Sequence, residues 1–176
     1  MATSGDIGNL KSKVILNDTF VNNSAFANIT WNKRTRRVRQ PLEAGCNMSD
    51  HPFDVDKYHE GIELFNDVEF FEAHDAWEEL WQEYHGEDRK FFQGLIQVAV
   101  CLHHFGNGNI RGAKKLFLSS TAYLEPFGPK HLGCNIEKLI LELTACCQEI
   151  LDSTEEFPKI EILPDLIPEI HLEGFE

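Results

Sequence analysis

No stretch of this chain reaches the roughly 18–20 consecutive apolar residues that a membrane span requires. The most apolar segment, Phe91 to Leu102, is interrupted by Gln93, Gly94 and Gln97. No CxxC spacing occurs, and the five cysteines are odd in number, so neither a zinc knuckle nor a paired disulfide framework is indicated. Cys101 and Cys146 fall on apolar helix faces and read as small core residues in a reducing compartment, and all five thiols are expected to be unpaired. There is no glycine-rich loop after a strand and no serine or cysteine in a nucleophile elbow, which excludes two common sources of catalysis. Acid is scarce in one place only. Residues 1–45 hold seven Lys/Arg against three Asp/Glu, leaving nine basic and 26 acidic side chains to the rest. An acidic body repels polyanions, so nucleic acid is not an expected partner of the folded part.

What is present divides the 176 residues into three. Residues 1–52 are rich in Ser, Thr and Asn and end in the basic run Lys33-Arg34-Thr35-Arg36-Arg37-Val38-Arg39. They lack the apolar core of a secretory signal, whereas a hydroxylated, basic, acid-poor composition fits a transit peptide. The expectation is a disordered basic leader, with the mature chain starting between Arg39 and Asp54. A plain basic tail and a nucleic-acid arm or nuclear signal are the alternatives.

Residues 53–152 show helical periodicity. Asp54 can cap a first helix with Tyr58, Ile62 and Phe65 on one face. Asn66, with Glu69 three residues on, resembles a capping box for a second helix running to about Tyr84. The third helix is apolar on nearly every side, the mark of a central helix. Gly106 and Gly108 end it. Asn109 can cap a fourth helix, where Gly112 allows another helix to come close. Asn135 can cap a fifth bearing Ile136, Leu139, Leu143, Cys146 and Ile150. Short connections predict an all-α, up-and-down bundle of about five helices. Residues 153–176 carry Pro158, Pro164 and Pro168 without helical period and read as an extended strap.

Chemistry can reside only where polar groups interrupt the apolar faces. At about 100° per residue, His74 and Glu78 fall within the aromatic stripe of Phe70, Trp77 and Trp81. Gln93, Gln97, Val100 and His104 share one face of the third helix.

Three motifs in order, FFEAHDAWEELW, FFQGLIQVAV and HHFGNGNIRGA, resemble the family known as domain of unknown function 309. The likeness covers roughly residues 55–125. It implies a small all-helical fold, with Glu72, His74, Glu78, Trp81, Gln93, Gly94, Gln97, His104, Asn109, Gly112 and Ala113 as the characteristic positions. Asp75 stands where that family usually has Glu, one methylene shorter. The family carries the loose label of metal-dependent hydrolase. With the N-terminal composition, the resemblance favours a chloroplast protein of a plant or alga, with the mitochondrion or cytoplasm as alternatives.

Three readings of the central polar residues stay open. His74, Glu78, Gln93, Gln97, His104 and Asn109 can form a buried hydrogen-bond network that sets helix register, Glu78 and His104 then depending on each other. They can line a small-ligand pocket. Alternatively His74, Glu78 and His104 can hold a divalent metal, with Glu72 as a base, since two imidazoles and a carboxylate are a known ligand set. A separate function class is a protein-interaction module using the acidic surface and the strap.

Overall fold

The computed structural model describes residues 52–155 and 158–174. The expectations for residues 1–51, Cys46 included, lie outside the described residues. The all-α reading holds for the described residues, which form five helices: α1 (Val55–Asn66), α2 (Phe70–Glu83), α3 (Arg89–Gly106), α4 (Ile110–Leu124) and α5 (Ile136–Asp152).

The Asp54 carboxylate accepts from the Lys57 amide at 3.1 Å and starts α1, whose Val55, Tyr58, Ile62 and Phe65 are buried. The expected cap of α2 is corrected. Asn66 is the last residue of α1, and α2 begins after Glu69 with no side-chain cap. The Asn66 amide instead grips the distant strap, donating to Ile170 O and accepting from Ile170 N, each at 2.8 Å. A tight reversal leaves it free to do so. Val68 N bonds Phe65 O at 3.0 Å and Glu69 N bonds Leu64 O at 2.9 Å.

That reversal holds Val68 at φ 64°, a left-handed conformation that a β-branched residue rarely adopts. Its side chain is 52% exposed, so little packing offsets the strain. Val68→Gly is expected to raise stability by about 1 kcal/mol, the steric relief exceeding the extra chain entropy of glycine. A lowered urea midpoint in the variant would contradict this.

α3 is the central helix, with α2 and α4 packed against it. Gly94 sets the approach of α4, because a Cβ there would lie 2.7 Å from the Leu124 side chain. Gly112 has a different task from the one expected. A Cβ on it would meet Asn109 Nδ2 at 2.7 Å, so this glycine clears space for the cap, in which Asn109 Oδ1 accepts from Gly112 N at 3.0 Å.

After α4 come a 3₁₀ turn (Glu125–Phe127) and a short antiparallel hairpin absent from the sequence reading, β1 (Lys130–His131) and β2 (Cys134–Asn135). Leu132 and Gly133 turn it at φ 43° and 75°. Asn135 caps α5 as expected, its Oδ1 accepting from Lys138 N at 2.9 Å. The strap is extended apart from a 3₁₀ turn at Pro164–Leu166, and Leu172 bridges back to Cys134. Cys101, Cys134, Cys146 and Cys147 are buried free thiols, matching the expectation for these four. Burial pushes the Cys134 thiol up to about 12, where it is inert at neutral pH. Among the described residues no helix is long and apolar enough to cross a membrane.

Candidate functional site

The site is built on α2, and its seat is aromatic. Trp77 is fully buried and its indole N–H donates to Tyr58 O at 3.1 Å, which fixes the rotation of α2 against α1. One turn earlier on the same helix, His74 is therefore held at the edge of the core, 7% exposed. At the far end, the Arg89 guanidinium stacks 3.7 Å above the Trp81 ring and donates to Trp81 O and, at 2.6 Å, to Tyr84 O. The last carbonyls of α2 are thus capped by a residue of α3.

The two imidazole nitrogens of His74 face two carboxylates. Nδ1 lies 3.0 Å from Asp75 Oδ1 and Nε2 lies 3.3 Å from Glu78 Oε2. One ligand-capable atom from each of the three residues falls within 4.8 Å of the others. Asp75 is exposed and Glu78 half-buried, so the cluster opens to solvent above a buried ring. A neutral imidazole carries one N–H. One of the two contacts therefore sets a nitrogen lone pair against a carboxylate, unless the ring takes a second proton or a cation lies between them. Burial pushes the Asp75 carboxyl above its ordinary range, and the charges of Glu78 and Glu72 add to this against the pull of His74.

The expected constellation is only partly assembled. His74 and Glu78 meet, but the recorded partners of His104 are elsewhere: its Nδ1 lies 3.2 Å from Asn109 Nδ2 and its ring beside His103. Gln97 Oε1 is shut off from solvent with no hydrogen-bond partner, and Gln93 is half-buried. Among the described residues the metal-capable group is His74, Asp75 and Glu78, without His104. His103 of α3 does face α2. The exposed ring of Phe71 lies 5.6 Å from the His74 ring and 5.5 Å from that of His103. Glu72 is exposed on the same side, close enough for its charge to act on both Asp75 and His103.

A second polar node escaped the sequence reading. His131 Nε2 lies 2.7 Å from Asp88 Oδ1, and Tyr84 donates to Asp88 Oδ2 at 3.1 Å. The His131 ring packs on Phe91 and Phe127, tying the hairpin to the turn between α2 and α3. Forty-three residues separate the two partners, so no local spacing could reveal them.

Burial holds both His103 and His104 below the ordinary 6.5. The folded state then binds fewer protons than the unfolded chain at slightly acid pH, and stability must fall as pH drops below about 6.5. The urea midpoint is expected to decline between pH 7.5 and 5.5. The decline should be shallower in His103→Gln and His104→Gln, and an unchanged slope in both would show that these rings titrate normally.

These features define an all-α bundle with a histidine–carboxylate cluster on its second helix. Residues 58–116 match the family described as Domain of unknown function (DUF309). It is 34% identical over 106 residues to the uncharacterised protein YpuF of Bacillus subtilis (strain 168), covering 58% of this chain and 60% of YpuF. It is 27% identical over 92 residues to an uncharacterised protein of Aquifex aeolicus (strain VF5), covering 52% of this chain and 26% of that protein. The chain thus spans about 60% and 26% of the lengths of these two relatives.

Proposed function

We propose that His74, Asp75 and Glu78 form a divalent-cation site on α2. The observation that carries this reading is the convergence of the three ligand-capable atoms within 4.8 Å. The donor set fits the ion. One imidazole and two carboxylates suit zinc, manganese or ferrous iron, and the solvent-facing side leaves coordination positions for water. A cation there would also offset the burial and the added carboxylate repulsion that raise the Asp75 carboxyl. A bound divalent ion supplies Lewis acidity and a more acidic water. The chain's own part is to hold the imidazole rigidly through the Trp77 seat and to keep negative charge around the open face.

The proposal is binding; the hydrolase reading with His104 as third ligand gains no support from its contact with Asn109. Calorimetric titration of tag-free protein with zinc and manganese tests it. His74→Gln, Asp75→Asn and Glu78→Gln should each weaken binding by about tenfold or more. Equal affinity in wild type and His74→Gln would end the reading. It would favour the alternative in which a doubly protonated His74 simply pairs with its two carboxylates. We also propose that residues 1–52 are a chloroplast transit peptide, on their composition taken with the family resemblance. A native mature protein beginning at Met1 or Ala2 would overturn this.

A further inference from the structure

Far from the α2 cluster in sequence, an open groove of about 560 Å³ is lined by the 3₁₀ turn after α4, the hairpin approach and the first half of α5. This volume lies within the roughly 300–1,000 Å³ usual for ligand clefts. Pro129, Ile136, Ile140 and Leu141 give it an apolar lining, and Glu125 and Glu137 add two carboxylates. Leu141 is 70% exposed, the most exposed large hydrophobic side chain among the described residues.

Charge decides what could lie there. Helix starts often take anions, but the first amides of α5 are committed: Ile136 N and Glu137 N both donate to Pro129 O, and Lys138 N donates to Asn135. The nearby cations are also engaged, Lys138 with Glu142 at 3.2 Å and Lys130 with Glu173 at 2.9 Å. Glu125 and Glu137 are exposed and in no ion pair among the described residues. The groove therefore combines apolar surface with two uncompensated negative charges, on a body carrying 26 acidic and nine basic residues beyond residue 45.

We infer that this groove docks a partner protein through a short segment in which an apolar side chain is flanked by lysine or arginine. The apolar side chain would cover Leu141 and Ile140, and the flanking cations would meet Glu125 and Glu137. The inference is independent of the cation site on α2.

Fluorescence anisotropy with the full chain and a labelled Arg-Arg-Leu-Arg-Arg peptide tests it. Leu141→Ser and the double variant Glu125→Lys/Glu137→Lys are each expected to weaken binding at least tenfold. Glu161→Lys, a charge reversal in the strap, should change it less than twofold. Replacing the peptide's leucine by serine should cost as much as Leu141→Ser. The inference is overturned by any of three results. These are no binding at millimolar peptide, equal losses from all charge reversals with no dependence on leucine, or a wild-type dimer in sedimentation that Leu141→Ser dissolves. The last would assign the groove to a second copy of this chain.

Discussion

Gly61→Ala is expected to be among the most damaging single substitutions in the domain, although it exchanges a helical glycine for the best helix former. A Cβ at this position would lie 2.2 Å from Trp77 Nε1 and 2.5 Å from two further indole atoms. The indole cannot retreat, because it is fully buried and hydrogen-bonded to Tyr58 O. Either α1 lifts from α2 or Trp77 leaves its rotamer. Overpacking of this kind costs about 1–3 kcal/mol, and the lost indole hydrogen bond adds about 1 kcal/mol, against a helix-propensity gain of about 1 kcal/mol. A net loss of about 1–3 kcal/mol is a sizeable part of the about 5–15 kcal/mol stability typical of folded domains. Urea unfolding measures it. Gly106→Ala is the control, since a Cβ there meets nothing within 4 Å, and it should be neutral or stabilising. Equal behaviour of the two variants would mean that α1 and α2 are not packed as described.

Asn66→Asp is expected to cost at least as much, about 2–4 kcal/mol, although it changes one atom. The asparagine donates to Ile170 O and accepts from Ile170 N. Aspartate keeps the acceptor but sets a second carboxylate oxygen against the Ile170 carbonyl, so a partly buried bond becomes a repulsion. Ile170 is buried and Leu172 bridges to Cys134, so releasing this grip should free the strap from residue 158 onward. Hydrogen exchange should show protection lost at Ile170 and Glu173 while α3 stays protected. Asn66→Ala should lie between the wild type and Asn66→Asp. If Asn66→Asp unfolds no more readily than wild type, the strap does not contribute to stability through this contact.

The helices were legible because their signals are local. The cap residues Asp54, Asn109 and Asn135 each act within three residues, and the apolar faces of α1 and α5 follow a single period. Asn66 carried the same local signal as those caps, yet its partner lies 104 residues away, and the tertiary contact prevailed. The hairpin was missed because two-residue strands have no periodicity to read. In the site, His74 and Glu78 were legible from the four-residue helical repeat. Asp75, an immediate neighbour about 100° round the helix, is brought to the ring by its short side chain, which a helical wheel does not show. On α3 the choice of His104 over His103 turned on which face meets α2. Gly94 against Leu124, and Cys101 donating to Ala113 O, point that helix's other side at α4. Position 103, nine residues and about 180° from Gly94, then faces α2.

All three proposed ligands lie within five consecutive residues of one helix. The seat that orients that helix, Tyr58, Gly61 and Trp77, is also close in sequence. The cluster and these seat residues all lie within residues 58–116, the span that matches the family, while α5, the groove and the strap lie beyond it. The chain is in this sense modular. The residues proposed to hold a cation sit in one early segment, and the groove proposed to take a partner sits in the later elements.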